Sequence, residues 1–220
     1  MFYGATSFSQ SLCWDIPEDA TTTDMFLGAN VAASAKAFTT TTLQTAVTAW
    51  CSDRQMAKQY YGHISYWLTG NVDDMSFLFS RYSPGWRDVG GAYCKRYHTF
   101  ADDLSRWDVR NSRTFEGMFA GARNFNSPLS GKHWKPISAT TLNGMFAGCI
   151  SFNQAIGHWP VSTVRDLSWM FDGASDFNQA LPWDVSLVES FRGTFNDAIA
   201  FNQSSLTSWD VQSGADFRNM

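Results

Sequence analysis

The chain has 220 residues, of which 44% are hydrophobic and 16% charged, so it can bury a core and is not a disordered polypeptide. A net charge of −4 gives no basic patch, so nucleic-acid binding is not expected. No apolar run approaches the roughly 18 residues of a membrane span, and the N-terminus lacks a signal-peptide pattern, which predicts a cytosolic protein or an internal fragment.

The first 30 residues hold one unit of a sequence repeat. Met1-Phe2 returns as Met25-Phe26, and between them lie Phe8 and Trp14. Segment 1–30 is therefore expected to end a preceding repeat unit or to pack as a separate coil.

Residues 31–63 interrupt the repeat. Leu43, Ala46, Val47 and Trp50 recur at helical spacing, which predicts an amphipathic helix over 43–60. A stack of repeats needs a cover over its first open apolar end. We therefore predict a linker followed by a capping helix in this segment.

The repeat resumes over 64–220, where the closing Phe of each unit lies at 119, 146, 171 and 195, at intervals of 27, 25 and 24 residues. Leu181, Trp183 and Val185 alternate, which predicts a short strand with one buried face. Val188 and Phe191 then follow at three-residue steps, which predicts a short helix. Such units bury their apolar faces only by stacking. The expected fold is an α/β solenoid of leucine-rich-repeat-like coils of about 24–27 residues, with parallel strands on one face and short helices on the other.

Two residue types recur at fixed positions in these units. We call the repeated tryptophans the slot Trp, and their period-two surroundings predict that they point into the core. They are Trp14, Trp67, Trp107, Trp134, Trp159, Trp183 and Trp209. An asparagine follows a phenylalanine in one position, which predicts a ladder of amide hydrogen bonds between neighbouring coils. Its members are Asn126, Asn153, Asn178 and Asn202. A loop insertion interrupts one repeat at 80–99 and carries Trp86 and Arg87.

The repeat as a whole resembles the BspA-like leucine-rich repeat family, which is known from mycoplasma-type surface lipoproteins. Gly117-Met118-Phe119, Gly144-Met145-Phe146 and Trp183-Asp184-Val185-Ser186 carry the likeness, which covers about three quarters of the chain. The chain departs from the family pattern at Lys135-Pro136, at Pro160 and at the 80–99 insertion. The resemblance implies a curved solenoid on a cell surface or in the extracellular space.

The resemblance also implies a function in protein contacts and adhesion, and no enzyme. The leading hypothesis is a non-enzymatic surface or extracellular module that mediates protein binding, adhesion or assembly, with no cofactor. The first alternative is a structural subunit that stacks end to end in a filament or layer. The second is a metal- or carbohydrate-binding protein, since sugars stack on tryptophan.

Few residues point to chemistry, and no catalytic motif is present. Cys51 and Cys94 lie in the two interruptions, where a surface protein can bridge them or leave two unpaired thiols. Cys149 stands in a repeat position typical of the core. His133 and His158 precede the slot Trp of neighbouring units, which makes them either exposed strand residues or a pair that holds a metal ion.

Residues next to each slot Trp are expected to face solvent, because successive strand side chains point to opposite faces. Asp in this position either bonds to a nearby turn or contributes to an acidic stripe. Together with the insertion, these flanking residues form the predicted partner-binding surface for a protein or for self-association. The predicted binding residues are Tyr66, Trp86, Arg87, Arg106, Asp108, His133, Lys135, His158, Asp184 and Asp210.

Overall fold

The computed structural model describes residues 37–211 and 215–220, so the unit predicted over 1–30, with Trp14, lies outside the described residues. The described chain begins with two helices, continues through a hairpin, and otherwise consists of turns and single bridges. The regular elements are α1 (Thr40–Ser52), α2 (Arg54–Tyr61), β1 (Tyr82–Ser83), β2 (Arg87–Asp88) and 3-10 helices at Ile64–Tyr66, Tyr97–Thr99 and Ser204–Ser208. None of the described helices is long and apolar enough to cross a membrane.

Helices α1 and α2 occupy the segment for which a helix was predicted. Thr39 caps α1, since its hydroxyl accepts the backbone N–H of Thr42 and the Thr42 side chain accepts the Thr39 N–H. The residues whose spacing predicted the helix, Leu43, Ala46, Val47 and Trp50, are all buried. A second cap at Asp53 starts α2 and turns the chain.

The helix pair packs against the first repeat unit. The ring of Trp50 meets the slot Trp67 edge to face at 5.8 Å. The Phe38 N–H donates to the Leu68 carbonyl at 2.9 Å, and the Thr40 hydroxyl donates to Asp73 at 2.7 Å. These contacts bring α1 over the apolar side of that unit.

Successive units are joined in parallel along one side. Single parallel bridges link Asp74, Thr114, Thr141, Asp166, Ser190 and Asp216 in that order. Alternate backbone N–H groups then donate to the next unit, as Gly117 does to the Asn143 carbonyl at 2.8 Å. The residues between them close local turns, as Met118 does with the Phe115 carbonyl at 3.1 Å. Each unit is thus stabilised both by hydrogen bonds to its neighbour and by hydrogen bonds within its own turns.

The helix predicted in each unit is wrong: between residues 64 and 220 the described chain contains no α-helix. The three- and four-residue spacing of Val188, Phe191 and Phe195 comes from consecutive tight turns. Gly193 has a φ of +62°, outside the right-handed helical region. Its N–H donates to the Arg218 carbonyl of the next unit.

The strand predicted at each slot Trp is also wrong, although its alternating burial is correct. Leu181, Trp183 and Val185 are buried, while Pro182 and Asp184 are exposed. Strand pairing is absent at these described positions. The backbone N–H of a slot Trp instead donates to the carbonyl three residues earlier, as that of Trp107 does to Leu104. The parallel bridges lie on the side assigned to helices, because the backbone groups there are the ones left for the neighbouring unit.

Two columns of phenylalanine rings fill the core. Within a unit the paired rings lie 3.8–4.0 Å apart, and between units the rings of one column repeat at 5.6–6.1 Å. The columns are Phe79, Phe119, Phe146, Phe171 and Phe195, and beside them Phe100, Phe125, Phe152, Phe177 and Phe201. Offset stacking of this kind adds to the apolar area that the rings bury.

Within the described chain the slot Trp from Trp67 to Trp183 are buried in the core, as predicted, and Trp209 is half-buried. Their indoles link the units. Each Nε1 below donates to a backbone oxygen of the preceding unit: Trp107 to Ile64 at 2.8 Å, Trp134 to Leu104 at 2.6 Å, Trp159 to Leu129 at 3.2 Å, Trp183 to Ile156 at 3.3 Å and Trp209 to Leu181 at 2.8 Å. Burial of the indole therefore leaves no polar atom without a partner.

The asparagine ladder is confirmed. The side-chain oxygen of Asn126 accepts the N–H of Asn153 at 2.9 Å, Asn153 accepts that of Asn178 at 3.0 Å, and Asn178 accepts that of Asn202 at 3.0 Å. The glutamine after each Asn donates to the same oxygen, as Gln179 does to Asn153 at 2.8 Å. The ladder fixes the turn of each unit to the turn before it.

The insertion at 80–99 contains the antiparallel hairpin β1–β2, in which Tyr82 pairs with Asp88. A disulfide between Cys51 and Cys94, which are separated by 43 positions in sequence, joins helix α1 to this insertion. Cys149 is buried in the core as predicted, and burial raises the pKa of its thiol.

Candidate binding surfaces

The residues that flank each buried slot Trp lie at the surface. We name this set the flank strip, and its members are Tyr66, Leu68, Arg106, Asp108, His133, Lys135, His158, Asp184 and Asp210. All of them are exposed or half-buried. Leu68, which was not predicted, follows Trp67 as Asp108 follows Trp107. Its side chain is 49% exposed, so the strip starts with an apolar residue as well as an aromatic one.

The first three units of the strip enclose a cleft of about 350 Å³. The guanidinium of Arg106 lies 4.8 Å from the ring centroid of Tyr66, within cation–π distance. Leu68, Asp108 and His133 contribute to the same cleft. Apolar, aromatic and charged groups from three successive units thus meet at this cleft.

The carboxylate of Asp108 is held in place by its own turn. Arg110 donates to both of its oxygens at 2.8–2.9 Å and the Arg110 N–H to one of them at 3.2 Å. The hydrogen bonds from Arg110 lower the pKa of Asp108, and the nearby His133 adds to the effect. Asp184 likewise accepts the N–H and hydroxyl of Ser186, and these bonds lower its pKa. Both Asp residues therefore stabilise local turns.

His133 and His158 lie at the surface, half-buried and exposed respectively. The His133 carbonyl accepts the Val109 N–H at 3.2 Å, so its backbone belongs to the contact between two units. Across residues 37–211 and 215–220, no group of three His, Cys, Asp or Glu side chains is arranged to hold a metal ion. The pair thus lacks a third ligand within the described chain.

The burial of the slot Trp also removes the sugar-stacking role considered for them. From Trp67 to Trp183 each is at most 4% exposed, so its ring faces are covered by the core.

Trp86 of the insertion contributes to a different surface, which we name the aromatic groove. It encloses about 940 Å³ and shares no residue with the cleft of the flank strip. Its lining residues are Arg81, Tyr82, Trp86, Tyr97, His98, Gly121, Arg123, Asn143, Ala147, Gly148, Trp169, Asp172, Gly173 and Asp197. Arg87 is exposed on β2 and does not line it.

Trp86 extends from its own unit, where its ring meets that of Phe77 at 5.3 Å, over the next two units. Its ring lies against Gly144, where a Cβ would collide with it, and its Nε1 donates to Glu116 at 2.7 Å. Trp169 covers Gly193 in the same manner. Both tryptophans remain half-buried and bound the groove.

Sequence reasoning missed Trp169, Tyr82 and Tyr97 as surface residues. A signal for Trp169 was present: it stands where the neighbouring units have Gly144 and Gly193, outside the slot Trp position. The location of Tyr82 and Tyr97 depends on how the insertion folds back over the units, and no repeat position records that.

Comparison with known proteins gives one family. The model of the family described as "Mycoplasma protein of unknown function, DUF285" matches residues 39–148, 64–182 and 140–220, which together extend over most of the chain. No curated protein and no solved structure matches the chain significantly. The overlapping matches agree with the repeat of bridged units described above, and the chain belongs to the DUF285 family.

Proposed function

We propose that the chain is a non-enzymatic repeat module, displayed on a cell surface or secreted, that binds a protein partner through the flank strip. The observation that carries the proposal is the regular outward placement of flanking side chains by a buried tryptophan in successive units. A repeat scaffold whose core residues are constant and whose surface residues differ from unit to unit suits recognition of a protein surface.

In this proposal the bridged units are successive coils of one solenoid, of the kind that the resemblance to BspA-like repeats implies. The parallel bridges and the ring columns support it, since each unit contacts mainly its neighbours. The solenoid is then built from turns and bridges in place of strands and helices.

Display outside the cytosol is supported by the disulfide between Cys51 and Cys94. Such bonds persist in oxidising environments and are rare in the cytosol. Its position, tying the helix pair to the insertion, suits a module that keeps its shape in the extracellular space.

The strongest contact is expected at the cleft between the first units. Tyr66 and Arg106 are residue types that dominate binding energy at protein interfaces, and Leu68 lies beside them. End-to-end stacking into a filament is less favoured, because helix α1 packs over the first unit and would have to be displaced.

To test the proposal, a library of extracellular protein domains displayed on yeast is sorted for binding to the biotinylated module. The affinity of a selected domain is then measured for the wild type and for the triple variant Arg106→Ser, His133→Ser and His158→Ser. We expect the variant to keep the melting temperature of the wild type and to bind the selected domain at least about tenfold more weakly.

The matched control replaces two exposed cations outside the strip, Lys95→Ser and Arg165→Ser, and should leave the affinity unchanged. A selected domain whose affinity survives the triple change would place the protein-binding surface elsewhere. Regularly stacked copies in electron micrographs of the purified module would favour the structural-subunit alternative.

A further inference from the structure

The aromatic groove is distinct from the flank strip and is built by departures from the repeat. Two positions of the repeat unit favour a left-handed backbone, and glycine is the residue found there most often, although Phe77, Trp169 and Asn219 also take the first position. Gly117, Gly144 and Gly193 occupy the first of these positions, with φ of +54° to +62°. Gly121, Gly148 and Gly173 occupy the second, with φ of +65° to +82°.

Trp169 takes the first position in its unit with φ of +58°, and Asp197 takes the second with φ of +53°. Side chains with a Cβ are disfavoured in this region, and a bulky one most of all. Trp169 and Asp197 line the groove, whereas Phe77 and Asn219, which take the first position in their own units, do not. Trp86, on the hairpin, also has a left-handed backbone, with φ of +58°. Strain that adds little to the core points to a function for the surface it builds.

The spacing of the two tryptophans follows from the stack. Trp86 lies against Gly144, and Trp169 lies against Gly193. Gly144 donates to the unit of Trp169, and Trp169 donates to the unit of Gly193, so the two contacts are two units apart. At about 4.8 Å for each step between parallel strands, the rings lie on the order of 10 Å apart along the groove. Two or three linked sugar rings span such a distance.

The groove lining carries hydrogen-bonding groups of both kinds. Asp172 and Asp197 contribute carboxylates, each of which also accepts a hydrogen bond from Asn196, and Arg123 contributes a guanidinium. The amide of Asn143 donates to Asp166. Arg81 is paired with Asp88 at 2.6 Å. Positive and negative groups are therefore mixed along the rim, which favours a ligand without net charge.

We infer that the aromatic groove binds a neutral oligosaccharide of two or three rings. The C–H faces of the sugars pack on the exposed parts of Trp86 and Trp169, the second of which also has the Arg192 guanidinium 5.5 Å from its ring centroid. The hydroxyl groups bond to the carboxylates of the groove. An open groove of this volume, with aromatic walls and a few convergent polar groups, is typical of small-ligand sites.

The experiment titrates the full chain with chitotriose, cellotriose and maltotriose, following tryptophan fluorescence and saturation-transfer NMR. At least one of these probes is expected to bind at millimolar concentration or below. Trp169→Gly and Asp197→Gly restore the residue of neighbouring units, so both variants should fold. Each is expected to weaken binding about tenfold or more.

The matched control is Asn219→Gly, which makes the same kind of backbone change at a left-handed residue outside the groove. It should leave sugar binding unchanged, as should the triple variant of the flank strip. Absence of binding by all three probes, or binding that survives Trp169→Gly, overturns the inference. A displayed peptide that binds in a Trp169-dependent way while the sugars do not would make the groove a peptide site and also overturn it. Neither result bears on the flank strip.

Discussion

The indole N–H of each slot Trp explains why the chain is so rich in tryptophan. A buried phenylalanine fills the same space but cannot bond to the preceding unit. Trp134, which is fully buried, donates to the Leu104 carbonyl at 2.6 Å. The residue therefore contributes both apolar area and a contact that fixes the spacing of two units.

Trp134→Phe is expected to keep most of the packing and to remove one of the two hydrogen bonds to the Leu104 carbonyl, which still accepts the Trp107 N–H, so it should destabilise the fold by about 0.5–1.5 kcal/mol. Trp134→Ala also opens a cavity and should destabilise it by about 3–5 kcal/mol. Urea unfolding of the two variants measures the difference. A Trp134→Phe variant as stable as the wild type would mean that the hydrogen bond contributes nothing beyond the ring.

His63 makes folding stability sensitive to pH. Its ring lies 5.1 Å from that of Trp50, and its Nδ1 accepts the Ser65 N–H at 3.3 Å. Partial burial lowers the pKa of His63 below its usual value, and Lys58 lowers it further. In the unfolded chain the histidine takes up a proton below pH of about 6.5, while in the folded chain it does so only at lower pH.

Stability from His63 is thus present above pH of about 6.5 and is lost as the pH falls. We expect the melting temperature to decrease between pH of about 7.5 and about 5, and His63→Asn to make that decrease smaller. Asparagine keeps an acceptor for the Ser65 N–H but does not titrate. The same decrease in both proteins would assign the pH dependence to other groups.

At the scale of the element, a single unit has no regular structure of its own. Half of its backbone N–H groups along the bridged side donate to the next unit, as Phe119 does to the Met145 carbonyl at 3.0 Å. In the asparagine ladder, side-chain oxygens accept backbone N–H groups of the next unit in the same way. Ordering therefore spreads from unit to unit.

Asn153→Ala removes the acceptor for the N–H of Asn178 and for the amide of Gln179. We expect a loss of about 1–2 kcal/mol in unfolding free energy, together with faster amide exchange at Asn178. Asn202→Ala is the control, because the Asn202 side chain accepts no bond in the described part of the chain. Equal losses in both variants would show that the ladder adds no stability.

The disulfide between Cys51 and Cys94 links two elements that the repeat does not connect. With a sequence separation of 43 between the cysteines, the chain-entropy model gives about 4 kcal/mol of stabilisation. Dithiothreitol should lower the melting temperature of the wild type and leave that of a Cys51→Ala, Cys94→Ala variant unchanged. An unaltered melting temperature in the reduced wild type would contradict this expectation.

On the scale of the whole molecule, the helix pair covers the first unit, and its role as a cap stays a prediction. Removing residues 1–61, with Cys94→Ala, should uncover Ile64, Trp67 and the rings behind them. We expect this variant to aggregate, because the uncovered coil face is apolar. Size-exclusion chromatography with light scattering measures it, and a soluble, well-folded monomer would refute the capping role.

The periodicity of the sequence predicted which residues are buried better than it predicted their conformation. Trp183, Val188 and Phe191 are in the core as expected, because the spacing of apolar residues indicates which side chains share a buried face. The same spacing suggested a helix, because three-residue steps arise equally from a helix face and from consecutive turns. Gly193 and its left-handed backbone belong to the second arrangement, and the hydrogen bonds to the next unit decide between them.

By itself the sequence determined the repeat, the inward face of the tryptophans and the asparagine ladder. Each of these features recurs at the same position of successive similar units, so the contact between one pair of units recurs in the next. Only the tertiary structure decided what lies outside that pattern. The insertion brings Trp86 over Gly144, near Trp169, and the disulfide joins it to α1. Those contacts depend on how a non-repeating segment folds back across several units. The spacing of residues along the chain does not encode which unit such a segment reaches.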